Sequence, residues 1–372
     1  METSIFRLMR HNGILETNNH VQAIVSSVGG AFFTIAALAV TTDAHGGDAL
    51  PADTTAGAGV ELVRTHRQHS FKSTVPPGNY SGITWLGDKR YAVVSDKSET
   101  DGFFIFEIDV DSVSGKIRAV EKLDFVSSGR PNRDQEGIAY LPSTNTLFVC
   151  GENGNEVLEY ELNGQHTGRK LELPDEISLA TENYGLESLS YNANTHKLWT
   201  VTESTLACDG GQASYSNPTE NRLRLMCFND SLEQTGMYFY NMDKPLAKRR
   251  PREYAMGVSE VCALDDGRLI VMEREFYVSR LELGSWVNIK MFVADPTKVP
   301  VGGTLQKTLL HEFRTRLRLF RYNLANYEGM CLGPELHDGG RVIIMVSDSQ
   351  NRYGGVLKDY FKSIVIREDA GG

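Results

Sequence analysis

From Val63 onward, short apolar runs alternate with Gly, Asn, Asp and Pro, so the chain reads as a succession of short strands. A helical period stands out only around Leu309–Phe320. Within the strand pattern one unit recurs: an acid, an apolar run, a turn, a second apolar run and another acid. Its copies are Glu136…Glu152, Glu187…Glu203, Glu260…Glu273 and Glu328…Asp348, with a weaker one at Ser81…Asp96. Two residues after the first position stand Ile83, Ile138, Leu189, Cys262 and Met330. Three after it stand the smaller Thr84, Ala139, Ser190, Ala263 and Cys331, and four after it Trp85, Tyr140, Tyr191, Leu264 and Leu332. Such alternation predicts a strand whose two faces differ, one of them crowded. Two residues before the second position stand Val94, Cys150, Val201, Val271 and Val346, which predicts a buried partner strand.

Further strands follow in most copies, for example Phe103–Ile108 and Glu156–Leu162. Repeated units of four strands are the signature of a β-propeller, so the fold class is all-β with four-stranded antiparallel blades. Five blades are counted; the last two intervals exceed the ~40–50 residues a blade needs, so they carry insertions or hide a sixth. The last copy lacks a fourth strand after Ser363–Ile366, and the segment Ser70–Val75 is expected to supply it and close the ring. The reading places a leader at 1–40, a flexible Ala/Gly/Thr linker at 41–62, the propeller at 63–368 and a short tail at 369–372.

Composition narrows the class. With 41% hydrophobic and 23% charged residues among 372, the chain has the balance of a soluble globular protein. A net charge of −10 argues against a nucleic-acid binder, and means that an anionic substrate needs a local positive site. Val21–Val40 carries no charge, follows Arg7 and Arg10, and contains Ala37-Leu38-Ala39 as a small-residue cleavage site. This reads as a secretory signal, hence a secreted or periplasmic protein; an uncleaved anchor is the alternative, with no other membrane contact. A monomer is expected. Of five cysteines, Cys150, Cys262 and Cys331 fall in apolar strands, while Cys208 and Cys227 could pair if the chain is exported.

Topology places the acids. The first position opens the innermost strand of a blade and the second ends the antiparallel neighbour, so both lie at one edge of the sheet. Repetition about an axis brings ten positions, nine of them carboxylates, to one mouth of the central channel. Carboxylates gathered there need protons, basic partners or metal ions to coexist, and an all-oxygen cluster suits calcium. Lys97, Arg274 and Arg352 stand beside or near the second acids, and Arg130 and Arg133 precede Glu136. The insertion 243–259, with Lys248, Arg249, Arg250 and Arg252, and the run Arg314, Arg316, Arg318 and Arg321 are expected as cationic segments over the ring. Against this, any one repeated acid can simply cap a neighbouring loop, and Tyr184 and Tyr327 read as packing residues. The histidines show no metal-ligand spacing, and neither a phosphate-binding loop nor a nucleophile elbow is present.

Asn326-Tyr327-Glu328-Gly329-Met330 and Val346-Ser347-Asp348-Ser349-Gln350-Asn351, with Asp134–Ile138 and Tyr184–Ser188, resemble the phytase-like family, described as "esterase-like activity of phytase", over Ser70–Ile366. The resemblance implies an exported propeller that hydrolyses phosphate esters, phytate included; Ser81 departs from the acidic pattern. On this reading Glu136, Glu187, Glu260 and Glu328 are catalytic, Asp96, Glu152, Glu203, Glu273 and Asp348 hold calcium, and Lys97, Arg274 and Arg352 hold the phosphate of a small-molecule ester. The alternatives are a non-catalytic propeller binding a ligand or partner, and a calcium-dependent lactonase or glycosidase-like enzyme.

Overall fold

The computed structural model describes residues 59–178, 185–319 and 321–369, with backbone alone at position 321. The expected leader, nearly all of the linker, the last three residues and Tyr184 lie outside them. Among the described residues no helix is long and apolar enough to cross a membrane.

Two strands precede the repeats, β1 (Val60–Thr65) and β2 (His69–Ser70). Blade 1 holds β3 (Tyr80–Gly87), β4 (Arg90–Ser95), β5 (Thr100–Val110) and β6 (Ile117–Pro131). Blade 2 holds β7 (Gln135–Leu141), β8 (Thr146–Gly151), β9 (Glu156–Glu161) and β10 (His166–Lys170). Blade 3 holds β11 (Leu186–Asn192), β12 (Lys197–Thr202), β13 (Arg222–Phe228) and β14 (Gln234–Asn241). Blade 4 holds β15 (Glu253–Ala263), β16 (Leu269–Val278), β17 (Trp286–Ala294), β18 (Lys307–Arg318) and β19 (Arg321–Tyr322). Blade 5 holds β20 (Asn326–Glu335), β21 (Arg341–Asp348) and β22 (Tyr360–Glu368), completed by β1.

Each sheet is antiparallel, and the innermost strands pack in a closed cycle: β3 on β7, β7 on β11, β11 on β15, β15 on β20, and β20 on β3. This is a five-bladed propeller. The long intervals flank blade 4, which carries an extra strand, rather than hiding a sixth sheet among the described residues.

Two expectations are corrected. The strand that closes blade 5 is β1, which pairs Glu61 with Arg367 and Thr65 with Ile364; only His69 and Ser70 of the later segment join it, and Val75 turns back to donate to the Phe71 carbonyl at 2.9 Å. Leu309–Arg318 belongs to strand β18, not a helix, because a full antiparallel ladder to β17 is available. The cysteines are all free: Cys208 is exposed, whereas Cys227 sits inside β13 in the core between blades 3 and 4.

The core lies between blades. Trp199 and Val201 of blade 3, for example, pack against Val258 and Val271 of blade 4. Glycine lets the inner strands approach one another. A Cβ on Gly137 would stand 2.5 Å from the Leu189 nitrogen, and one on Gly329 would stand 2.7 Å from the Ser81 carbonyl oxygen.

Candidate functional site

The inner ladders share a bulge at the channel mouth. Register shifts fall between Tyr80 and Ile83, Gln135 and Ile138, Leu186 and Ser188, and Tyr327 and Gly329. The residue left over is, or includes, the first position of the repeat: Ser81, Glu136, Glu187 and Glu328. A bulge bends the strand and re-aims a side chain. In blade 4 the extra residue is Ser259, so Glu260 stays in register opposite Met272.

Two groups of carboxylates result. Asp96, Asp134 and Glu136 bring one oxygen each within 4.8 Å of one another, and so do Glu152, Glu187 and Glu203. Asp134 precedes β7 with φ of 60°, and its turn is fixed by its own N–H donating to Asn132 Oδ1 at 2.6 Å and by the Glu152 N–H donating to its carbonyl at 2.9 Å. Lys97 Nζ reaches Asp96 at 3.0 Å and Asp134 at 2.6 Å. On the other side Arg274, only 1% exposed, donates to Glu203 at 3.0 Å and to Glu328, lies 3.8 Å from Glu187, and meets Asn326 Oδ1 at 3.3 Å.

Eight carboxylates therefore share the mouth (Asp96, Asp134, Glu136, Glu152, Glu187, Glu203, Glu328 and Asp348) with two cations, Lys97 and Arg274. Their titration reflects this. Burial, then the charges of Glu187 and Asp96, holds Glu136 well above the usual carboxyl range. Burial and Glu203 do the same to Glu187. Burial, Glu328 and Asp96 do so to Asp348. Burial and Glu203 push Glu152 up to about 9. Asp96 and Glu203 are also raised by burial, but only to about 7, because Lys97 and Arg274 pull them down.

The donor set fits a hard divalent cation such as calcium, since every donor is an oxygen. Asp96 Oδ1 is buried without a hydrogen-bond partner. The carboxylates of Glu136 and Glu152 accept no hydrogen bond from the described residues. Unpaired buried charge of this kind is costly unless a proton or a cation offsets it.

The structure does not bring every sequence-derived candidate to the mouth. Glu260 is fully buried in the wall rather than at the mouth: its Oε1 takes the Val261 N–H at 3.0 Å, its Oε2 has no hydrogen-bond partner among the described residues, and burial holds it well above the usual carboxyl range. Glu273 lies mid-strand because β16 runs on to Val278. It accepts from Tyr240 at 2.8 Å, Lys307 at 2.5 Å and the Asp243 N–H at 3.1 Å. Arg274, the next residue, takes the channel place instead. Arg352 is bound to Asp359 and to the Val75 carbonyl, both at 2.6 Å. Of the expected cationic cover, Arg252 pairs with Glu282 at 2.7 Å, and Arg314 donates to Asn288 at 2.8 Å and stacks over Trp286. Asp134 was outside the acid-to-acid repeat. Its only sequence signal is the acid two residues before Glu136 in Asp134-Gln135-Glu136.

No curated protein matches the chain. Similar solved structures include an endo-arabinase from Bacteroides thetaiotaomicron VPI-5482, with 10% identity over 82% of this chain and 99% of that one and a TM-score of 0.44. A Trichoderma reesei protein of carbohydrate-active enzyme family AA12 shares 9% identity over 85% and 97%, with a TM-score of 0.42. A streptogramin B lyase shares 12% over 81% and 98%, with a TM-score of 0.36. Residues 75–350, most of the propeller, match the family described as "Phytase-like: Esterase-like activity of phytase", and the chain belongs to that phytase-like family.

Proposed function

We propose that this chain is an exported, metal-assisted hydrolase of phosphate esters, acting as a monomer on a small-molecule substrate at the channel mouth. The observation that carries this reading is the pair of carboxylate triads, with oxygens within 4.8 Å of one another and with Asp96 Oδ1 unpartnered. Asp96, Asp134 and Glu136 would hold one calcium, and Glu152, Glu187 and Glu203 a second. Bound there, calcium would neutralise the acids, polarise a phosphoryl oxygen and acidify water.

The protein's own groups divide the remaining work. Lys97 favours the ionised form of Asp96 and, by bonding both Asp96 and Asp134, fixes their direction. Arg274 ties Glu203 and Glu328 into one unit through its two Nη groups and, being only 1% exposed, serves as an internal counter-ion rather than a phosphate clamp. Asp348, whose value is raised by burial, Glu328 and Asp96, is suited to holding a proton at neutral pH and giving it to a leaving oxygen. The export signal expected at Val21–Val40 supports a calcium-rich compartment.

The test is turnover of p-nitrophenyl phosphate, a bis-phosphodiester and phytate, each with calcium, with other divalent ions, and with chelator. Metal-dependent release of phosphate or nitrophenol supports the reading. No turnover of any substrate in any ion defeats it.

A further inference from the structure

Among the described residues nine large apolar side chains are exposed, and five of them lie at one end of blade 4 and the loop beside it: Leu281, Leu283, Leu319, Tyr322 and Tyr353. Leu281 is 86% exposed and Leu319 64%. The reason is the length of blade 4. In the other blades the second strand stops at the ring, but β16 passes Arg274 and continues to Val278, four residues further, or roughly 13 Å at a strand's rise. It carries the turn 279–285 out beyond the channel mouth. The end of β18 is docked beside it, because Gly284 N–H donates to the Leu317 carbonyl and Leu317 N–H to the Ser285 carbonyl, each at 2.9 Å. Tyr353 lies close enough to feel the charges of Glu282 and Arg252.

The surroundings are cationic. Arg280, Arg316 and Arg318 are exposed and make no ion pair among the described residues, while Glu282, the acid in the turn, is neutralised by Arg252 at 2.7 Å. A chain of net charge −10 thus presents apolar tips ringed by guanidinium groups on the side where its channel opens.

We infer that the blade 4 tips are a membrane-docking element, seating Leu281, Leu283 and Leu319 in the interface of a bilayer with anionic headgroups while Arg280, Arg316 and Arg318 engage those headgroups. Charge complementarity selects this occupant. Shape does too: the apolar groups stand on protruding turns, whereas a stable protein interface needs a continuous face of about 800 Å² per partner. The consequence is that the channel mouth faces the lipid surface. The inference does not depend on the metal chemistry.

The experiment uses the full chain with Cys208→Ser, which removes the exposed thiol, and an environment-sensitive fluorophore attached at Leu281→Cys. A second sample carries the label at Val113→Cys, 64% exposed in the turn at the far end of blade 1. Vesicles of phosphatidylcholine with a quarter phosphatidylglycerol should blue-shift the label at 281 and expose it to quenching by nitroxide lipids, with no change at 113. Replacing both Leu283 and Leu319 by Ser, with the melting temperature unchanged, should weaken the response on the order of tenfold, and high salt should weaken it too. No shift at 281, an equal shift at 113, or a shift that arises without vesicles together with dimer formation in light scattering would overturn the inference.

Discussion

Arg274 donates from Nη2 to Oε1 of Glu203 at 3.0 Å, joining blade 4 to blade 3 across the channel mouth. The same guanidinium reaches Glu328 of blade 5, so one cation serves acids from two neighbouring blades. Removing it leaves buried carboxylates without compensation. Arg274→Met should therefore lower stability by about 3–5 kcal/mol, with much of the loss recovered in millimolar calcium. Thermal unfolding in chelator and in calcium measures both effects. A loss of the same size in both conditions would mean that calcium does not act on these acids.

The pH dependence of stability should run opposite to that of salt-bridged carboxylates. A carboxyl raised in the folded state binds its proton more tightly there than in the unfolded chain. It therefore favours folding below the unfolded value of about 4, and stability is lost as pH climbs to the folded value. Asp96 and Glu203 stand at about 7 and Glu152 at about 9. Metal-free protein should accordingly melt at progressively lower temperature between about pH 5 and pH 9, and saturating calcium should flatten that slope. A metal-free melting temperature that stays level across this window would contradict the electrostatics described for the mouth.

Much of the architecture can be read in the chain because a propeller is written as repetition. Ile138, Leu189 and Met330 mark equivalent inner strands, and the spacing of their acids places both ends of each ladder at one edge. What cannot be read is where each bulge falls. Glu187 and Glu260 occupy the same place in the repeat, yet a bulge at Ser259 instead of Glu260 turns the second into the wall. The same limitation governs Glu273 and Arg274, since nothing in the motif says that β16 continues past the ring. The closing strand is not legible because Val60–Thr65, with Arg64 and Glu61 within it, alternates only weakly.

Asp134 and Glu273 form a contrasting pair. Asp134→Asn should weaken calcium binding by about tenfold or more, since a direct oxygen donor loses its charge. Glu273→Gln should leave calcium affinity unchanged while weakening the contacts with Lys307 and Tyr240. Titration calorimetry on the two variants separates the roles. Equal effects would mean that position in the repeat, not the bulge, decides which acids bind.

Gly137 tests the close approach of inner strands. Alanine there would press its Cβ against the Leu189 nitrogen at 2.5 Å and the Ser188 carbonyl carbon at 2.7 Å, both backbone atoms that cannot swing aside. Gly137→Ala should cost about 1–3 kcal/mol, seen as a lower denaturation midpoint at unchanged slope. Unchanged stability would show that the blades have room to separate.

The central proposal is that the two carboxylate triads at the mouth hold divalent cations. It is tested most directly by calorimetric titration of calcium into chelator-treated protein at neutral pH, in two buffers of different ionisation enthalpy, beside the double variant Asp96→Asn, Glu187→Gln. The account predicts saturable binding with proton release that scales with the buffer, and its loss in the variant. Absence of binding at millimolar calcium, or binding that the variant leaves intact, would contradict it.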